Sequence, residues 1–117
     1  MRLYVYVLEA KDLSVKDSYV KLQVEKHKSK TRILRNTMMP VWNEEFVFRV
    51  HDMDEELVVS LFHHDDEPRV FHGSRDLVGR VRIPVWSIAA EENHTLLPTW
   101  FPLERPKAGK FINEDYG

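Results

Sequence analysis

The stretch LFHHDDEPRVFHGSRDLVG, residues 61–79, places His63, His64, Asp65, Asp66, Glu67, His72 and Asp76 in one connection between two β-rich ends. Clustered carboxylates suit a hard cation such as calcium, which takes roughly 6–8 oxygen ligands. Imidazoles beside them add zinc-type donors and groups capable of acid–base work. The histidine spacing matches no strong zinc pattern, and His63 and His64 are adjacent, so in a strand they point to opposite faces. The plain expectation for these histidines is a solvent-facing loop. A second cluster is cationic. Lys21, Lys28, Lys30 and Arg32 can share the exposed face of one hairpin, with Lys26 and Arg35 beside them. A third is Arg69-Val70-Phe71, an apolar tip next to a cation, which suits a bilayer interface. Val15 and Lys16 can join it from an earlier loop.

These groups must be positioned by strands. Residues 3–8 are apolar or aromatic on both alternating sets, which predicts a strand covered on both faces. YVKLQVE at 19–25 alternates Val20, Leu22 and Val24 against Lys21, Gln23 and Glu25, the pattern of a half-buried strand. Residues 30–34 are expected to return as its hairpin partner through a turn at 26–29. Further strands are expected at 45–50, 57–62, 77–83 (with Arg80 and Arg82 outward) and 99–103, the last an edge or bulge because of Pro102. Only 84–92 reads as helical, and only as a short turn. About seven strands at such spacing predict an all-β, antiparallel sandwich.

Composition bounds the rest. The chain has 117 residues, 43% hydrophobic and 31% charged, an ordinary mix for one globular domain. It has no cysteine, which removes disulfides, thiolate catalysis and Cys-based zinc sites. A net charge of −2 gives no reason to expect nucleic acid as a partner. No apolar run approaches the roughly 20 residues of a membrane span, and the start is not a signal peptide. Catalysis has little support: no nucleophile motif or Gly-rich phosphate loop is present, and Gly totals four. Charge is unevenly distributed, with Lys and Arg concentrated at 16–35 and Asp and Glu at 52–67, so two surfaces with different partners are expected.

Two runs carry a family resemblance. DSYVKLQVEKHKSKTRILRN continues into TMMPVWNEEFVFRV, and LVVSLFHHDD is followed by SRDLVGRVRIPV. Together they resemble a C2 domain of type II-like topology, most similar to plant C2 domains such as those joined to GRAM domains. PVWNEEFVF is the most specific piece: Pro40 sets a turn, Trp42 plugs the core, and Asn43 and Glu44 satisfy strand-end backbone. The resemblance covers 1–103 and leaves 104–117 as a polar, loosely held tail. It implies a Greek-key sandwich of about 7–8 strands whose final short strand is not found here. The first strand would then have an unpaired apolar edge, which invites another chain, and a homodimer or strand exchange is the expectation.

The resemblance also implies five acidic positions for calcium, two in the first loop and three in the third. Here Asp17 stands alone in a shortened first loop, and His63 replaces the first acidic position of the third. Histidine is a poor calcium ligand. Asp65 and Asp76 match the other two, with Asp66 and Glu67 as neighbours that can substitute. One weak calcium site on Asp17, Asp65 and Asp76 is therefore the implied cofactor site. For the basic hairpin the resemblance implies a groove that binds anionic headgroups through Lys21, Lys28, Lys30 and Arg32, joined by Arg69 and Phe71 at the loop tip. The expected function is a cytoplasmic, peripheral membrane-targeting module that binds anionic phospholipid with weak or partial calcium dependence. The alternative is a calcium-independent protein-interaction domain with degenerate metal loops.

Overall fold

The computed structural model describes residues 1–65, 76–91 and 96–105. Within them the chain forms β1 (Arg2–Glu9), β2 (Ser18–Val24), β3 (His27–Lys30), β4 (Val41–Arg49), β5 (Glu56–His63), β6 (Leu77–Pro84) and α1 (Val85–Ala89). They build two antiparallel sheets, β1-β4 and β3-β2-β5-β6. The sheets enclose a core in which Leu22, Val24, Trp42, Phe48 and Leu57 are almost wholly buried.

β2 shows why the sequence folds this way. Its alternation buries Ser18, Val20, Leu22 and Val24 and turns Tyr19, Lys21 and Gln23 outward. A slip of one residue would exchange the two sets, so the core face sets the register. The turn into β3 occupies residues 25–26, earlier than expected, with Glu25 at φ 55. In that left-handed position the Glu25 carboxylate accepts the His51 amide at 2.7 Å and faces His51 Nδ1 at 3.2 Å. The bond from the His51 amide, then that to its ring, holds the Glu25 carboxyl below its ordinary value of 4.5. A lowered folded value stabilises the turn fully above pH 4.5, and that contribution is lost as pH falls through the folded value. Acid titration followed by NMR should therefore move the His51 amide resonance together with the Glu25 carboxyl, at a pH below 4.5. Independent titration of the two would disprove the clamp.

Several expectations are corrected. The strand expected at 30–34 lies instead at His27–Lys30, because the ladder becomes irregular at Thr31, whose amide still donates to the Val20 carbonyl at 2.8 Å. The Thr31 hydroxyl takes the Val20 amide at 2.9 Å, so its side chain replaces a backbone acceptor. Beyond Thr31 the chain meets β2 again at an isolated Ser18–Leu34 bridge. β1 is covered on one face: Leu3 is buried, whereas Tyr4 and Tyr6 are 55% and 62% exposed. Residues 99–103 are not a strand; among the described residues the segment's backbone pairs with β6 where Arg80 and Glu104 exchange bonds at 2.9 Å. Pro98 and Pro102 bring no N–H to a ladder. The count among the described residues is thus six strands, fewer than expected. Most of the expected tail, 106–117, lies outside the described residues.

Glu104 nevertheless docks closely. A Cβ at Gly79 would stand 2.8 Å from the Leu103 Cβ and 3.0 Å from the Glu104 carbonyl oxygen. Gly79→Ala should cost about 1–3 kcal/mol, the usual range for overpacking. Urea unfolding measures this, and an unchanged midpoint would mean that the 103–104 segment moves aside freely.

β4 carries a bulge. Val7 pairs with Glu44 and Glu9 with Val41, so Trp42 and Asn43 together oppose Leu8. Asn43 takes φ 50 there, a left-handed conformation that Asn adopts more readily than most residues. Trp42 is 2% exposed, and its indole Nε1 donates to the Arg32 carbonyl at 2.9 Å. Arg32 Nη2 returns a bond to the Trp42 carbonyl at 3.0 Å, and the Arg32 amide and Nε both donate to Glu44 Oε2. The expected roles of Trp42 as core plug and Glu44 as backbone partner both have a concrete form here.

Candidate functional site

Strand register brings the basic residues together. Lys30 pairs with Lys21, Lys21 with Ser60, and Ser60 with Arg80. Two residues along, Lys28 pairs with Gln23, Gln23 with Val58, and Val58 with Arg82. Residues directly opposite in an antiparallel ladder share a face. The outer face of the four-stranded sheet therefore carries two cross-strand rows containing Lys30, Lys21, Arg80, Lys28 and Arg82. A groove of about 630 Å³ runs over this face, with Lys21, Ser60, Phe62, Arg80 and Arg82 in its lining. Phe62 stacks on Tyr19 at 5.5 Å between ring centroids, which gives one end of the groove an aromatic floor.

The groove has polarity. Glu25, Asp54, Glu55 and Glu56 line its far end, and Glu56 Oε1 lies 3.5 Å from Arg82 Nη1. Arg82 is thus partly neutralised, and the cationic end is the row of Lys30, Lys21 and Arg80. Arg80 Nε is buried and has no hydrogen-bond partner among the described residues.

Arg32 sits apart from these rows. Its guanidinium holds Glu44 at 3.2 Å and the Trp42 carbonyl, so it serves to join the two sheets. Arg80 and Arg82 take its place on the face. Their outward alternation with Val81 and Ile83 is legible in LVGRVRIP, but their rank beside Lys21 depends on the strand order β3-β2-β5-β6, which local pattern does not encode.

The acidic loops meet at Asp17. Its carbonyl accepts the His64 amide at 2.9 Å, and its Oδ1 accepts the Asn36 amide at 2.7 Å. Burial, then the Asp76 carboxylate, pushes the Tyr19 hydroxyl up from its ordinary value. His64 meets the Tyr19 ring edge-on, whereas His63 lines a separate apolar groove together with Leu61 and Asp76. Asp65 ends the described part of this loop; Asp66, Arg69 and Phe71 lie outside the described residues. Among the described residues no three His, Asp or Glu side chains converge as a metal cage. The oxygen set needed for calcium is therefore not assembled by the residues described, and Asp17 already spends Oδ1 on a backbone amide.

The described residues thus form a two-sheet antiparallel sandwich with basic rows on one face. The C2 domain family profile matches residues 1–103, and the chain belongs to that family. A C2 and GRAM domain-containing protein of Arabidopsis thaliana is 38% identical over 115 residues, covering 93% of this chain and 11% of that protein. Synaptotagmin-5 of Arabidopsis thaliana is 32% identical over 117 residues, covering 92% of this chain and 19% of that protein. The chain thus spans under a fifth of these relatives' length. Among solved structures, a pair of C2 domains from Extended-Synaptotagmin 2 superposes with a TM-score of 0.73 at 21% identity, over 96% of this chain and 36% of that one. A calcium-bound form of the same pair gives a TM-score of 0.67 at 23% identity, over 81% of this chain and 34% of that one. The chain is a C2 β-sandwich with plant homologues and synaptotagmin-type relatives. Among the described residues no helix is long and apolar enough to cross a membrane.

Proposed function

We propose that this C2 domain is a cytoplasmic, peripheral docking module that binds anionic phospholipid through the outer face of its four-stranded sheet. One observation carries the reading: register aligns Lys30, Lys21 and Arg80 in one row on the outer face of the four-stranded sheet. Anionic headgroups complement such a row, and each basic residue near an anionic surface contributes about 1 kcal/mol. The module acts by binding and performs no catalysis.

Calcium enters this reading as a weak modulator. Asp17, Asp65 and Asp76, with Asp66 and His63 beside them, are the residues through which it would act, and the calcium-bound Extended-Synaptotagmin 2 domains motivate keeping it in the account. The commitment of Asp17 Oδ1 to Asn36 argues for low affinity.

Co-sedimentation with phosphatidylserine vesicles, in calcium and in chelator, tests the proposal. Binding of similar strength in both is the expected result. Binding only in calcium would move the function to the acidic loops. Failure to bind in either would overturn the lipid reading. It would favour a protein partner, or a second copy, on the one-sided edge of β1 beside exposed Tyr4 and Tyr6.

A further inference from the structure

The outer face of the β1-β4 sheet takes no part in the docking proposed above. Register gives it three cross-strand rows: Arg2 opposite Arg49, Tyr4 opposite Val47, and Tyr6 opposite Glu45. All six residues are exposed, and Tyr4, Tyr6 and Val47 are each more than half exposed. Leu8 and Val41 continue the apolar surface beyond them. Single exposed apolar residues are ordinary. Here they adjoin across a ladder, with two cations at one end of the group and a carboxylate at the other. Tyrosine combines a large apolar body with a polar tip and is enriched in contacts between proteins. Like charges directly opposite each other, as Arg2 and Arg49 are, destabilise a strand pair, and a carboxylate from outside offsets that cost. The Tyr6 hydroxyl bonds to Glu45; that bond, then the Glu45 charge, raises the hydroxyl from its ordinary value of 10.0. The same bond holds the carboxylate in its row.

We propose that this face is a contact between two copies of the chain, packed back to back about a two-fold axis. The axis lies in the plane of contact, across the strands, at the Tyr4–Val47 row. That rotation keeps β1 over β1 and β4 over β4 and reverses their direction. Tyr4 and Val47 then meet their own counterparts, and Arg49 meets the partner's Glu45 on both sides of the axis. Charge fixes the placement. An axis one row further would set Glu45 on the partner's Glu45, and an axis one row earlier would set Arg49 on the partner's Arg49. An axis along the strands would set every row on itself, the cations included. Self-complementarity of this kind is what an isologous contact requires. Sheets packed face to face stand about 10 Å apart, so the side chains of the three rows interleave. Two strands make a narrow face, and the contact belongs to the small, transient class, below about 1,200 Å². It leaves the outer face of the four-stranded sheet open in both copies, so it stands or falls independently of lipid docking.

Sedimentation velocity of the full chain without lipid, from micromolar to millimolar concentration, tests the contact. A reversible monomer–dimer equilibrium is the expected result. Glu45→Arg and Arg49→Glu should each weaken it by about tenfold or more, because like charges then meet twice in every dimer. The double variant E45R/R49E should recover it, since exchanging both charges restores both pairs. Thermal midpoints verify that the variants are folded. The chain has no cysteine, so Val47→Cys gives a second readout with no change of charge. A short bis-maleimide should link two copies at position 47, while Met53→Cys, in the connection between β4 and β5, should stay unlinked. Monomer at every concentration would overturn the proposal. So would a dimer that is untouched by Glu45→Arg and does not cross-link at position 47, which would place the contact on the edge of β1 instead.

Discussion

Replacing Lys21, Lys28 and Lys30 with Gln should lower affinity for anionic vesicles by about two orders of magnitude, from about 1 kcal/mol per cation near the surface. Changing the same residues to Glu should abolish measurable binding, since repulsion is added to lost attraction. All three belong to one face: Lys21 pairs with Lys30, and Lys28 with Gln23 two positions along. None of the three is buried, so the fold should survive, which an unchanged thermal midpoint would verify. Salt should act in parallel, because the screening length falls from about 10 Å at 0.1 M to about 3 Å at 1 M. Arg32→Gln is the informative contrast. Its guanidinium is bonded to Glu44 and the Trp42 carbonyl, so the variant should lose stability more than vesicle affinity. Equal loss of binding from Arg32→Gln and Lys21→Gln would show that Arg32 also faces the lipid, contrary to its place outside the rows.

Trp42→Ala should remove a large share of the protein's stability. Large-to-small aromatic substitutions in cores cost about 3–5 kcal/mol, against a typical total of about 5–15 kcal/mol. The site is at the severe end of that range for two reasons. Trp42 is 2% exposed, and its indole N–H is the partner of the Arg32 carbonyl. Truncation leaves both a cavity and an unpaired acceptor. Trp42→Phe keeps most of the volume and isolates the second term, about 1 kcal/mol for the lost hydrogen bond. Denaturant titration of the three proteins measures both, and a Trp42→Phe variant as unstable as Trp42→Ala would mean that the bond, not the filling, holds this corner.

How much of this was legible in the sequence depended on the range of the interaction. Alternation in YVKLQVE marked β2 because each inward residue meets the same core. The family resemblance, carried by PVWNEEFVF, located Trp42 in the core. Local alternation failed where a side chain displaced a backbone bond. Thr31 looks like one more β-branched strand residue, yet its hydroxyl takes the Val20 amide and the strand ends at Lys30. It failed again at 99–103, where aromatic residues suggested a strand but two prolines leave only the bridge at Glu104. The site was half visible. Lys21, Lys28 and Lys30 lie close in sequence and share a hairpin, so they could be grouped. Arg80 is distant in sequence and joins them only through strand order, and Asp17's bond to Asn36 is a loop-to-loop contact that no spacing rule predicts.

The reciprocal bonds between Arg32 and Trp42 have a mechanical meaning. Lipid would grip the outer face of the four-stranded sheet, while β1 and β4 form the other sheet. A pull on the second sheet while the first is held must pass partly through Arg32, which follows β3 and clasps Trp42 and Glu44 on β4. Those bonds sit side by side at one corner and would bear such a load together in shear.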